Sequence, residues 1–68
     1  MACVSPDGTP TASGRAILAA VRRPASAEEV AEATGLPLYR VRSGLRELAA
    51  AGLVADESGQ FSARPQPE

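Results

Sequence analysis

The chain has no histidine, no lysine and no tryptophan, and a single cysteine, tyrosine and phenylalanine each. Each shortage closes off some chemistry. Without histidine, and with Cys3 alone, one chain cannot assemble the ligands of an ordinary zinc site. No disulfide can form within a monomer. There is no nucleophile–base pair, no phosphate-cradling glycine motif and no metal-ligand cluster, so the sequence predicts neither an enzyme nor a cofactor. No apolar run approaches the ~20 residues that a membrane helix needs, and the first residues lack a basic stretch followed by an apolar one. The expected compartment is the cytoplasm, with no membrane partner. Aromatics make up 3% of the chain, so the core has to be built from Ala, Leu and Val, with Phe61 as the one large apolar ring.

What is present bounds the rest. Sixty-eight residues make one domain at most. A chain of this size buries only about 60% of its unfolded surface. Small side chains each remove little area, at about 25 cal/mol per Å². Dimerisation would supplement such a core. Net charge is −1 and the pI is about 5.3, a weak footprint for a nucleic-acid binder. The charges are segregated, however. Arg40, Arg42 and Arg46 stand against Glu47, a local excess of two positive charges, whereas Glu28, Glu29 and Glu32 cluster just upstream. Local field counts for more than net charge in docking. All seven basic residues are arginine, the residue that reads guanine or clamps phosphate with two donors. Genomic composition bias explains an Ala- and Arg-rich chain equally well.

Taken in order, residues 1–12 contain Ser5-Pro6-Asp7-Gly8-Thr9-Pro10 and read as a disordered leader. A first helix is predicted from Ser13, as N-cap, to Arg22 or Arg23, with Ala16, Ile17, Ala20 and Val21 facing the core and Leu18 beside them. Pro24 blocks its continuation. Arg22 and Arg23 then suit the helix dipole. Ser26 and Glu29 form a capping box for a second helix, which Thr34 ends and Gly35 follows as a left-handed residue. Val30, Ala31 and Ala33 are its expected core positions.

The organising stretch runs from Gly35 to Val54. Val41, Leu45 and Leu48 recur at i, i+4 and i+7 and share one helical face. Tyr39, Arg40, Ser43, Arg46 and Glu47 fall on or near the opposite face, with Arg42 at the flank. Gly44 inside this helix costs up to about 1 kcal/mol relative to alanine. It therefore points to a close approach, by another helix, by DNA or by a partner chain. Gly52 stops the helix. Residues 53–56, a turn at Glu57-Ser58-Gly59 and residues 60–63 form a hairpin, with Leu53 and Phe61 turned to the core. Residues 65–68 read as a frayed tail.

These residues carry a resemblance. The run Ser26-Ala27-Glu28-Glu29-Val30-Ala31-Glu32-Ala33-Thr34-Gly35-Leu36, then Val41, Leu45 and Leu48, then Ala51-Gly52-Leu53-Val54, resembles a winged helix-turn-helix domain of the MarR, ArsR and IclR types. It covers roughly residues 13–64. The resemblance implies an α+β, mostly helical fold: a three-helix core with a C-terminal β-hairpin wing, to which Ala25 forms a short bridge. It also implies a small DNA-binding transcriptional regulator whose helix from about Leu38 to Ala51 enters the major groove of double-stranded DNA. On that reading Arg40 and Ser43 touch base edges, Tyr39 a base or a phosphate, and Arg42 and Arg46 phosphates; since the first helix of some winged helices borders the DNA backbone, a phosphate contact is the alternative for Arg22 and Arg23. Solvated ion pairs, such as Arg42 with Glu32, are the plain alternative for these arginines.

The sequence departs from the resemblance in three places. Pro37 stands where many such domains have a Ser or Thr cap. Leu38 is apolar where small polar residues are common; it can pack or touch a thymine methyl. The hairpin tip carries Asp56 and Glu57 and no basic residue, so a minor-groove role does not carry over. These features favour the rival reading, a protein-interaction module that uses the same helix face through Leu38, Tyr39 and Gly44. A homodimer through the first helix is a further partner arrangement.

Overall fold

In the computed structural model, Val4, Pro6 and residues 10–64 are described. The tail expected over residues 65–68 lies outside them, as does most of the leader, Cys3 included. The chain forms α1 (Ala12–Ala20), α2 (Ala27–Thr34) and α3 (Leu38–Ala50), then an antiparallel hairpin of β1 (Val54–Glu57) and β2 (Gln60–Ala63). Three helices and a two-stranded wing are the winged helix-turn-helix architecture. Among the described residues, no helix is long and apolar enough to cross a membrane.

The helix ends follow local chemistry. At the start of α2, Ser26 Oγ accepts from the Glu29 amide at 3.2 Å and Glu29 Oε1 accepts from the Ser26 amide at 2.8 Å, the reciprocal capping box. At its end Gly35 sits at φ 75° and its amide donates to Ala31 O at 2.9 Å. The Thr34 hydroxyl donates to Val30 O and accepts from the Leu36 amide, tying the last turn of α2 to the connection that follows. Pro37 opens α3 with extended backbone and no side-chain cap. The end of α3 is a Schellman stop: Leu53 N–H donates to Leu48 O at 2.9 Å and Gly52 N–H to Ala49 O at 3.0 Å.

The wing is a two-residue hairpin. Glu57 pairs with Gln60, and Ser58 and Gly59 both have positive φ, 57° and 86°. That is the type I′ turn whose twist matches the strands. Asp56 Oδ1 accepts from the Gly59 amide at 3.2 Å and steadies the tip. The wing is sewn to the helices by main-chain bonds. Ala25 and Phe61 exchange bonds of 2.9 and 2.8 Å, the bridge expected at Ala25, and the Ala63 amide donates to Val21 O at 2.8 Å.

This sewing corrects α1. The helix is capped by Thr11, whose hydroxyl accepts from the Gly14 amide at 3.3 Å, and not by Ser13. It ends at Ala20 with Val21 as C-cap, ahead of Arg22 and Arg23. The cause lies in the wing, because the Val21 carbonyl is taken by β2 and the chain must leave the helix there to bring Ala25 alongside Phe61. The arginine pair stands exposed beyond the helix end. Ala16 is also exposed, and Gly14 is buried in its place, because Gly14, Ile17 and Val21 at i, i+3 and i+7 define the inward face. On α2, Ala33 is exposed and Ala27 is buried.

The core is aliphatic throughout: Ile17, Val21, Ala27, Val30, Val41, Leu45, Leu48, Leu53 and Val54. Phe61 lies half-buried against it, as do Leu18, Leu36 and Leu38. Val4 also packs there, and it bridges to Pro10. Among the described residues no buried side-chain polar atom lacks a partner, so nothing polar is stored inside. The chemistry of this domain is on its surface.

Candidate nucleic-acid interface

α3 is the longest element and the most strongly two-faced. Val41, Gly44, Leu45 and Leu48 are buried. Tyr39, Arg42, Ser43, Arg46 and Ala50 are exposed. At about 100° per residue these five lie within one broad stripe along the helix, so the outward surface is Tyr–Arg–Ser–Arg–Ala. Tyr39 is 74% exposed, the one large hydrophobic side chain left in solvent among the described residues.

The five residues predicted for the site do not form one patch. Tyr39, Arg40 and Ser43 line a cleft whose other wall includes Ser13 and Ile17 of α1. Arg40 is half-buried there and stands on the flank of the stripe. Gly44, buried, lines the same cleft. Arg42 and Arg46 line a second groove, between α3, Glu28 at the start of α2, and Asp56 and Phe61 of the hairpin. The helix thus has a hydroxyl-rich flank towards α1 and an arginine flank towards the wing.

The arginine flank is not simply basic. Arg42 Nη2 lies 3.3 Å from Glu28 Oε2, with both side chains more than half exposed. The sequence pointed to Glu32 as the partner, one helical turn too late. Glu28 and Arg42 are each seven residues from Gly35, the turn between the helices, and that equal spacing is the signal that could have identified the pair. With Glu28 and Asp56 facing Arg42 and Arg46, the groove towards the wing holds equal numbers of opposite charges. The hairpin tip adds Glu57, exposed, and no basic residue.

Among the described residues no group of His, Cys, Asp and Glu could hold a metal ion. The arrangement offers guanidinium forks, a hydroxyl and a phenol on a convex helix. These are groups for gripping a polyanion or a partner surface.

The chain belongs to the FaeA-like protein family, whose model matches residues 16–58, from within α1 through α2 and α3 into the hairpin turn. Neither the curated proteins nor the solved structures yield a match.

Proposed function

We propose that the chain is a small DNA-binding transcriptional regulator of the winged helix-turn-helix kind, akin to MarR-, ArsR- and IclR-type regulators and acting in the cytoplasm. Its third helix lies in the major groove. One observation carries the reading: Tyr39, Arg42, Ser43 and Arg46 stand exposed along one face of α3, while the opposite face is locked into the core by Val41, Leu45 and Leu48. A helix held by its back and armed in front is the geometry that enters a major groove. Arg40, from the flank towards α1, and Ser43 meet base edges, and Tyr39 meets a base or a phosphate. Arg42 and Arg46 grip phosphates on the wing side, where guanidinium groups neutralise backbone charge.

A second reading has its own support. Tyr39 at 74% exposure and an acidic hairpin tip suit a protein-docking face, with Tyr39 as anchor and arginine at the rim.

The experiment is fluorescence anisotropy of a labelled mixed-sequence duplex at about 50 mM and about 200 mM salt. The DNA reading expects binding at low salt and a steep loss at high salt. Arg46→Ala should weaken all sequences alike and lower the salt slope by about one. Absence of binding at low salt up to high micromolar protein would leave the protein-docking reading in possession of the same face.

A further inference from the structure

The ion pair between Arg42 and Glu28 serves no evident need of the fold. α2 is already capped by Ser26 and Glu29, whose two reciprocal bonds are complete without Glu28. No core residue depends on it either, because both side chains are in solvent, 60% and 65% exposed. Its carboxylate reaches instead across the gap between two helices to the guanidinium of Arg42 at 3.3 Å. That guanidinium is one of the two that the DNA reading assigns to phosphate.

We propose that Glu28 is a built-in competitor for the DNA phosphate: it occupies Arg42 in the free protein and must be displaced before Arg42 can grip the backbone. This rests on the DNA reading of α3. The chemistry is an exchange of one oxyanion for another. A carboxylate and a phosphate oxygen present the same acceptors to a guanidinium fork. The existing pair is exposed and screened by water and salt, so it opens readily. Asp56 lines the same groove and is fixed there by the Gly59 amide, so the displaced carboxylate meets another acid rather than a new cation on the hairpin. Glu28 therefore trims the part of the affinity that does not depend on sequence. The duplex has to hold the protein through more than phosphate contacts, which explains how a domain with an acidic wing and net charge −1 can avoid indiscriminate binding.

The test is a double-mutant cycle read by anisotropy on a mixed-sequence duplex at low salt, with Glu32→Gln as the charge control. Glu32 is exposed on the same helix, so its substitution removes the same charge without touching Arg42. Glu28→Gln should tighten binding about two- to fivefold, the range open to a surface ion pair, and by more than Glu32→Gln does. In an Arg42→Ala background, adding Glu28→Gln should gain no more than Glu32→Gln gains. The proposal is overturned by a Glu28→Gln gain equal to that of Glu32→Gln. A gain that survives intact without Arg42, or weaker binding, which would make Glu28 a support for Arg42, also overturns it. Wild-type protein that binds no duplex at low salt overturns the DNA reading itself. Wild-type binding with Glu28→Gln unchanged overturns this inference alone.

Discussion

The two helices of the helix-turn-helix are held by different means. α2 has eight residues and buries two of them, Ala27 and Val30, yet both its ends are closed by local bonds. α3 has thirteen residues and buries four, and it begins at a proline with no side-chain cap. Isolated helices this short are marginal in water, so each needs a compensating source of order. α2 finds it in its own sequence, through the Ser26–Glu29 box and Gly35. α3 finds it in packing, through Val41, Leu45 and Leu48. The consequence for the surface is direct. The start of α2 is closed by Ser26 and Glu29, whereas α3 starts at Pro37 without a side-chain cap bond, close to Tyr39 and Ser43.

Leu45→Ala should produce the largest effect. Leu45 is fully buried at the centre of the face that α3 turns inward. Truncating a core leucine costs about 2–5 kcal/mol. A domain of this length has a total stability of about 3–10 kcal/mol, so urea unfolding followed by circular dichroism should show a population unfolded at low denaturant, or no folded baseline at all. A loss below about 1 kcal/mol would mean that packing does not hold α3 and would break the contrast drawn above.

Two smaller losses probe α2. Gly35→Ala places a side chain at φ 75° with no atom within 4 Å of the new methyl, so only backbone strain is introduced. The expected cost is about 1–2 kcal/mol. Ser26→Ala removes one half of the capping box and should cost about 1 kcal/mol. Both are measured by the same denaturant curves, and amide exchange should locate the loss of protection in α2. Protection lost equally in α3 would show that the two helices are one cooperative unit and that their separate means of support do not matter.

Much of this was readable from residues because it depends on near neighbours. The capping box, the left-handed Gly35, the stop at Gly52 and the inward face of α3 all came from spacings of a few positions, whereas the bridge at Ala25 was implied only by the winged-helix resemblance. α1 was harder. Alanine loses little whether buried or exposed, so Ala16 carried no information about facing. The helix end was set by bonds from Val21 and Ala25 to β2, some forty residues away. The candidate site was legible as a set of residues and illegible as a shape. Helical angles put Tyr39, Arg40, Ser43 and Arg46 together with Arg42 nearby. They say nothing of α1 and the hairpin, which divide the set between two clefts. The partner of Arg42 depended on how α2 and α3 cross, a quantity that neither helix contains.

Pro37→Ser sharpens the comparison most finely, because it would give α3 the kind of start that α2 has. The substitution has two opposed effects. A serine at this position can accept a bond from the first turn, a gain of about 1 kcal/mol at a helix that now has no side-chain cap. Proline, at φ −60°, already sits where its ring wants to be, and replacing it frees the unfolded chain at a cost of about 0.4–1 kcal/mol. The two terms nearly cancel, so stability should change by no more than about 0.5 kcal/mol in either direction. A clear gain would mean that the start of α3 frays in the native protein and that a cap repairs it. A clear loss would mean that the rigid Leu36–Pro37 step, with Leu36 packed on the core, aims α3 as well as starting it. In that case the orientation of Tyr39 and Ser43 is set by the turn, and any ligand of this face should bind the variant more weakly than its stability alone would suggest.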